Sequence, residues 1–137
     1  MRTIEEILGA IDRFKPDAGS WIELEHLLSE LWETKKPEQG LEHMLNVLER
    51  FPDCDGAGVL WSIVHGIETF PSYEGELLLS IRRQPSMLGL AMLHRIENAG
   101  ASRILGQEIK SVYSEILAHP KLPSSLRDNV VAYRNSV

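Results

Sequence analysis

The sequence has a single cysteine, few aromatic residues and no long apolar run. One thiol cannot form an internal disulfide or a thiolate metal site, so Cys54 is typical of a protein kept in a reducing compartment. No segment approaches the roughly 18 consecutive apolar residues that span a bilayer, and the opening segment MRTIEEILGAIDRF carries acids where a signal peptide is apolar. These absences lead us to expect a cytoplasmic protein without a membrane-spanning helix.

The sequence also lacks the short motifs that carry common enzyme chemistry. It contains no Gly-x-x-x-x-Gly-Lys phosphate loop, no Gly-x-Gly-x-x-Gly turn, no Gly-x-Ser-x-Gly elbow and no His-Glu-x-x-His metal helix. Cys54 lies between Asp53 and Asp55, whose charges disfavour the thiolate that a nucleophile needs. We therefore expect no enzymatic activity and no cofactor.

Length and composition are those of one globular domain. The 137 residues are 43% hydrophobic and 25% charged, so residues 1–137 are expected to form a single helical domain with one core. Twenty acidic residues against fourteen basic residues give a net charge of -6. This charge disfavours nucleic acid as a direct partner and favours a basic protein.

Nearly every segment has the period of an α-helix. Apolar residues recur at intervals of three and four from Trp21 to Trp32, and Ser20 with Glu23 predicts a capping box there. The first helix is predicted to be capped by Thr3 and to stop before a proline, and Pro37 predicts the first turn of a third helix. No strand or hairpin turn is predicted. Further helices are predicted over residues 56–69, 74–84, 86–98, 104–118 and 124–135.

Two copies of one short segment separate predicted helices, ERFPDCDG at residues 49–56 and ETFPSYEG at residues 68–75. In each copy, the phenylalanine can pack on the preceding helical turn, and the proline prevents the helix from continuing. The acid, Asp55 or Glu74, is predicted to lie at the positive N-terminus of the next helix. The repeat therefore predicts a structural joint between helices rather than a catalytic motif.

A second internal echo indicates how the helices are arranged. LWSIVHGIE at residues 60–68 aligns without gaps on GLAMLHRIE at residues 89–97, two predicted helices later. A repeat of this length is typical of helix pairs that stack in register. The sequence therefore predicts an all-α fold, an antiparallel stack of about six to eight short helices that forms either a HEAT-like helical repeat or a compact bundle.

Acidic side chains follow one side of the second predicted helix, opposite its apolar stripe. Such a run is common on a solvated helix face. In an antiparallel stack, however, alternate helices line the same side, so the second, fourth and sixth helices are expected to share one surface. We expect a protein partner to bind this surface, with these residues in contact: Glu23, His26, Glu30, Glu33, Trp61, His65, Glu68, His94 and Glu97.

Two His-x-x-Glu pairs, His65 with Glu68 and His94 with Glu97, raise the alternative of a metal site. A carboxylate-bridged di-metal bundle needs the order Glu-x-x-His on two helices, and only one segment here has that order. Each pair can instead be satisfied within the fold or face a partner. We therefore expect no bound metal, and a helical metal protein or enzyme is kept as the alternative function.

The segments VLWSIVHGIETFP and LLLSIRRQPSMLGLAMLHRIENAG resemble an all-α family of immunity proteins from bacterial toxin and contact-dependent growth inhibition systems. The similarity covers residues 40–100 and does not extend to the opening third. Its features are a tryptophan helix that ends in His-x-Ile-Glu, an Arg-x-Pro turn, and a helix that closes on Arg-Ile-x-Asn, here Arg83, Pro85, Arg95, Ile96 and Asn98.

The resemblance implies a non-catalytic bacterial protein that binds a cognate toxin domain and blocks it. A basic nuclease is the expected toxin, because a nuclease must attract phosphate and so presents a cationic surface to an acidic inhibitor. A generic helical adaptor that docks peptides in a groove is the third candidate.

Overall fold

The computed structural model describes residues 2–136. Eight α-helices occupy most of this part of the chain, in agreement with the predicted all-α class. Short 3-10 turns at Pro37–Gly40 and Ser124–Leu126 precede the third and eighth helices, and a small β-hairpin precedes the seventh. The elements are α1 (Ile4–Arg13), α2 (Ile22–Trp32), α3 (Leu41–Arg50), α4 (Leu60–Ile67), α5 (Glu74–Arg83), α6 (Met87–Asn98), β1 (Arg103–Ile104), β2 (Gln107–Glu108), α7 (Ile109–Leu117) and α8 (Arg127–Asn135).

The helices form two layers, one of odd-numbered helices and one of even-numbered helices. In the odd layer α3 contacts both α1 and α5, and in the even layer α4 contacts both α2 and α6. The alternation continues at the end of the chain, where Arg82 of α5 pairs with Glu115 of α7, and His94 of α6 stacks on Tyr133 of α8. The two copies of the LWSIVHGIE echo thus lie on neighbouring helices of one layer.

Aliphatic side chains fill the space between the layers. The inward positions of α2 and α3 are fully buried leucine, methionine and valine, and those of α4 and α6 are leucine, isoleucine, valine and methionine. Burying one such side chain contributes about 1.5–3 kcal/mol. Within residues 2–136, Ser80 and Ser86 are the buried residues with polar side chains apart from Tyr113, and Ser86 caps α6 by accepting a 3.0 Å hydrogen bond from the N–H of Gly89.

Prolines mark the helix ends, as predicted. A proline follows the ends of α1, α3, α4, α5 and α7 within four residues. In the two Phe-Pro segments, Phe51 packs edge-on against Trp21 with ring centroids 4.9 Å apart, and Phe70 packs against Trp32 with centroids 6.3 Å apart. Each segment therefore joins two helices, and its phenylalanine packs against α2 or the N-cap residue of α2.

The start of α2 differs from the prediction. The helix is capped at Trp21 without a side-chain hydrogen bond, so Ser20 and Glu23 do not form the predicted capping box. Ser20 instead forms an antiparallel bridge with Asp17, across a tight turn whose two central residues have positive φ angles. This bridge leaves Ser20 one residue before the cap position.

The helix predicted over residues 56–69 starts later, at Leu60. Gly56, Ala57 and Gly58 all have positive φ angles, which a right-handed helix excludes. Asp55 consequently lies five residues before the helix, and its predicted position at a helix N-terminus is wrong. Glu74, the equivalent acid of the second copy, does begin a helix.

The helix predicted over residues 104–118 is also shorter, because residues 103–108 form an antiparallel hairpin. Its turn residues, Leu105 and Gly106, have positive φ angles of 49° and 79°. The expectation of no strand is therefore wrong here. The hairpin lacks the Asn-Gly turn that signals such structures, since a leucine occupies a left-handed position that normally favours Gly or Asn.

The close approach of α2 and α4 depends on a glycine. The indole ring of Trp32 lies so near the backbone of α4 that a Cβ atom on Gly66 would overlap the ring. Protein interiors are packed as densely as organic crystals, so even one added methyl group disturbs the packing. Gly66 therefore sets the distance between the first two helices of the even layer.

The substitution Gly66→Ala should destabilise the protein, because overpacking costs about 1–3 kcal/mol. Gly75→Ala in α5 is the matched control, since its Cβ would meet only Leu105, at 3.7 Å. Replacing that helical glycine should stabilise the fold by about 0.5–1 kcal/mol. Urea denaturation measures both changes. An unfolding midpoint of Gly66→Ala equal to that of the wild type would show that the two helices separate without cost.

Candidate partner-binding surface

The predicted acidic residues of α2 line its outer side. Glu23, His26 and Glu33 are exposed, and none of the three has an ion-pair partner within residues 2–136. Glu30 differs, because its carboxylate binds the guanidinium of Arg2, whose Nε donates a 3.0 Å hydrogen bond to Oε1. Glu23 and His26 of α2 and Glu33 at its C-cap therefore hold no other helix by an ion pair, whereas Glu30 is paired with Arg2.

Two carboxyl groups near the N-terminus have lowered pKa values, for different reasons. The pKa of Glu30 is lowered mainly by the hydrogen bond from Arg2. The pKa of Glu6 is lowered mainly by the backbone N–H of Thr3, which donates a 2.9 Å hydrogen bond to Oε1. Thr3 also caps α1 as predicted, with its hydroxyl accepting from the N–H of Glu6 at 3.2 Å.

A shallow groove lies between the end of α2 and α4. It encloses about 520 Å³ and is lined by Trp32, His65 and Phe70 together with two hydroxyl side chains. His65 is exposed, and its ring centroid lies 6.0 Å from that of Trp61, which is half-buried against the core. The predicted residues Trp61 and His65 therefore do lie near one another, beside an aromatic groove.

Glu68, which follows α4, is bound by Arg95 of α6. The guanidinium donates two hydrogen bonds, of 2.8 Å and 3.0 Å, to the two carboxylate oxygens. The Glu68 side chain is only 19% exposed, whereas that of Arg95 is 50% exposed. This bidentate pair joins two even helices, and surface pairs of this kind contribute about 0.2–1 kcal/mol. The fold thus uses Glu68 internally.

His94 and Glu97, the last two predicted residues, are covered by the final helices. The imidazole of His94 stacks on the ring of Tyr133 in α8, with centroids 4.2 Å apart and planes inclined by 17°. Glu97 is bound by Lys110 of α7, with Nζ 2.9 Å from Oε2. These two side chains therefore lie at the junction of α6 with α7 and α8, apart from the exposed residues of α2.

Charge is unevenly distributed along the chain. Residues 1–76 contain sixteen acids and six bases, a balance of -10, whereas residues 77–137 contain four acids and eight bases, a balance of +4. Three of the four acids in the second part, Glu97, Glu108 and Glu115, have a basic partner. The excess of negative charge therefore lies in the first four helices, the start of α5 and the turns between them.

The two His-x-x-Glu pairs suggested a metal site as the alternative. Residues 2–136 contain no group of three or more His, Cys, Asp or Glu side chains placed to hold a metal ion. In one pair, Nδ1 of His94 lies 3.5 Å from Oε1 of Glu97. In the other, Glu68 is bound to Arg95.

In the part of the chain that the structure describes, no helix is long and apolar enough to cross a bilayer.

Several residues that shape this surface were missed by sequence reasoning. Trp32 was assigned only to the apolar stripe of α2, although its place at the helix end, beside Glu33, was a signal that it could reach the surface. Arg2 and Lys110 bind carboxylates 28 and 13 residues away, and no local spacing predicts such pairs.

Comparison with protein-family models, curated proteins and solved structures finds no match for the chain.

The substitution Arg2→Gln should raise the pKa of Glu30 toward its ordinary value near 4.3, because the main cause of the lowered value is removed. The pKa of Glu6 should stay low, since its main cause is the backbone N–H of Thr3. Carboxyl carbon NMR titration of wild type and variant measures both groups. Equal upward changes at Glu30 and Glu6 would mean that the general positive charge of Arg2, and not its hydrogen bond, sets these values.

Proposed function

We propose that this chain is an immunity protein that binds a basic toxin domain and neutralises it without catalysis. The observation that carries the proposal is the segregation of acid into the first part of the chain, with exposed carboxylates on α2 that hold no other helix. The resemblance of residues 40–100 to toxin immunity proteins supports the same function. The expected toxin is a nuclease, whose cationic surface suits this acidic face.

Unpaired carboxylates of one sign repel one another and weaken the compact state. Here Glu23 and Glu33 form no ion pair within residues 2–136, whereas Glu49, Glu68 and Glu97 each bind a basic side chain. A cationic partner relieves that repulsion on binding. Complementary charge of this kind mainly accelerates association and selects the partner.

Aromatic residues beside the acids supply the apolar contact that charge alone does not. Binding energy in protein interfaces is concentrated in a few residues, among which tryptophan is enriched. The α2–α4 groove presents Trp32 and the exposed His65, with the half-buried Trp61 next to them. In this proposal Glu23, His26 and Glu33 direct the approach and the groove holds the complex, in the cytoplasm where a nuclease toxin would act.

The function itself is tested by growth rescue. Expression of the toxic domain encoded beside this chain's gene should stop growth of a host cell, and co-expression of this chain should restore it. The two purified proteins should form a stable complex on gel filtration. A neighbouring gene that encodes no toxic domain, or a toxin that this chain neither binds nor blocks, would contradict the proposal and favour the peptide adaptor or the metal protein.

The binding face is tested by reversing charge. Glu23→Lys with Glu33→Lys should lower the association rate constant for the toxin domain by about tenfold or more at low salt, and should flatten its dependence on salt. Stopped-flow fluorescence measures the rate. The matched control is Glu5→Lys with Glu42→Lys, which makes the same change in net charge on exposed positions of the odd layer.

The control decides how the result is interpreted. A large loss for the α2 variant and a small one for the control places the contact on the even layer. Equal losses would assign the effect to net charge rather than to a face. A folded α2 variant with an unchanged rate and salt dependence would remove these acids from the interface, even if growth rescue succeeds.

A further inference from the structure

Three buried polar atoms lie together at the junction of α6 and α7 without a hydrogen-bond partner in residues 2–136. They are Nδ1 of His94, Oε1 of Glu97 and the hydroxyl of Tyr113. Tyr113 is completely buried. The large majority of buried polar atoms in folded proteins bind another protein group or an ordered water molecule. Three unpartnered atoms in one place therefore indicate a site for a further hydrogen-bonding group.

The protein groups around the three atoms do not satisfy them. Nδ1 of His94 and Oε1 of Glu97 are 3.5 Å apart, beyond the roughly 2.7–3.2 Å of an N–H···O hydrogen bond. Burial and then the nearby Glu97 carboxylate raise the pKa of Tyr113, so its hydroxyl keeps its proton as a donor. The hydroxyl approaches the Glu97 carboxylate closely enough to contribute to the raised pKa, but no hydrogen bond of ordinary length and angle joins the two groups.

Lys110 does not complete the cluster, because its ammonium group is directed at other partners. Its ammonium group lies 2.9 Å from Oε2 of Glu97, the other oxygen of the carboxylate. It also donates to the backbone carbonyl of Tyr133 at 2.8 Å and to the hydroxyl of Ser136 at 3.0 Å. Lys110 thus holds the end of α8 against α6 and leaves Oε1 without a partner.

We propose that one tightly held water molecule binds between His94, Glu97 and Tyr113 and is part of the fold. It accepts from the Tyr113 hydroxyl and donates to Oε1 of Glu97 and to Nδ1 of His94 in its Nε2–H tautomer. Three hydrogen bonds are the usual number for a buried water molecule. The ammonium of Lys110 disfavours a cation here and the carboxylate of Glu97 disfavours an anion, so the site suits a small neutral molecule that both donates and accepts.

This water molecule links two helices beneath a third. His94 and Glu97 belong to α6, Tyr113 belongs to α7, and the ring of Tyr133 from α8 covers His94. α8 itself buries only Val130. The last helix pair therefore docks on the stack through a hydrated polar contact as well as through apolar packing.

A high-resolution crystal structure of the wild-type protein tests the proposal. The expected result is an ordered water molecule within about 3.2 Å of all three atoms. Tyr113→Phe removes the one fixed donor, so the water molecule should be lost or displaced. Tyr133→Phe is the matched control, because it makes the same chemical change on a hydroxyl outside the cluster, and the water molecule should persist.

Water–protein cross-relaxation in NMR spectra of the wild type gives the same answer in solution and needs no variant. Cross-peaks between a long-lived water molecule and ring protons of Tyr113 or His94 are expected. A direct hydrogen bond between Tyr113 and Glu97 with no water molecule between them would overturn the proposal, whether or not Tyr113→Phe folds. Loss of the water molecule in Tyr133→Phe as well would show that it depends on α8 packing and not on these three partners.

Discussion

No helix in residues 2–136 is longer than twelve residues, and isolated helices below about 12–15 residues are marginal in water. Each helix therefore depends on neighbours that cover its apolar side. The two-layer arrangement supplies them, since α3 contacts α1 and α5 in its own layer and α4 and α6 in the other. A stack of short helices is stable only where neighbouring helices pack closely. The contact of Trp32 with Gly66 brings α2 and α4 together, and it therefore also supports the helices that pack on α4.

The chemistry of the contacts changes along the stack. α1 to α6 meet mainly through buried aliphatic side chains, with an ion pair such as Glu68–Arg95 at the surface. The last pair adds polar contacts, because Arg82 binds Glu115 and Lys110 binds Glu97. α8 buries only Val130, and Lys110 of α7 holds its end by donating to the backbone carbonyl of Tyr133 and to the hydroxyl of Ser136. The end of the stack is therefore specified by hydrogen bonds as well as by the apolar residues that α7 buries.

Much of this fold follows from local patterns, because helical period and prolines act within a few residues. The predicted helix boundaries are wrong where positive φ angles set the local structure. These places are the turn before Ser20, the segment Gly56–Gly58, and the hairpin with Leu105 in a left-handed position. The position of α4 beside α6 in one layer was predictable from the echo at residues 60–68 and 89–97. The internal pairing of Glu30, Glu68 and Glu97 was not, since each basic partner is distant in sequence.

These pairings separate carboxylates that hold helices together from those that do not. Glu49 binds Arg83 and Ser80 and so joins α3 to α5, and Glu68 and Glu97 likewise join neighbouring helices. Glu23 and Glu33 form no ion pair within the described residues, so neither joins two helices. Solubility would be served by charge spread over the surface. A balance of -10 in one part and +4 in the other is instead the distribution that the proposed binding of a basic domain would use.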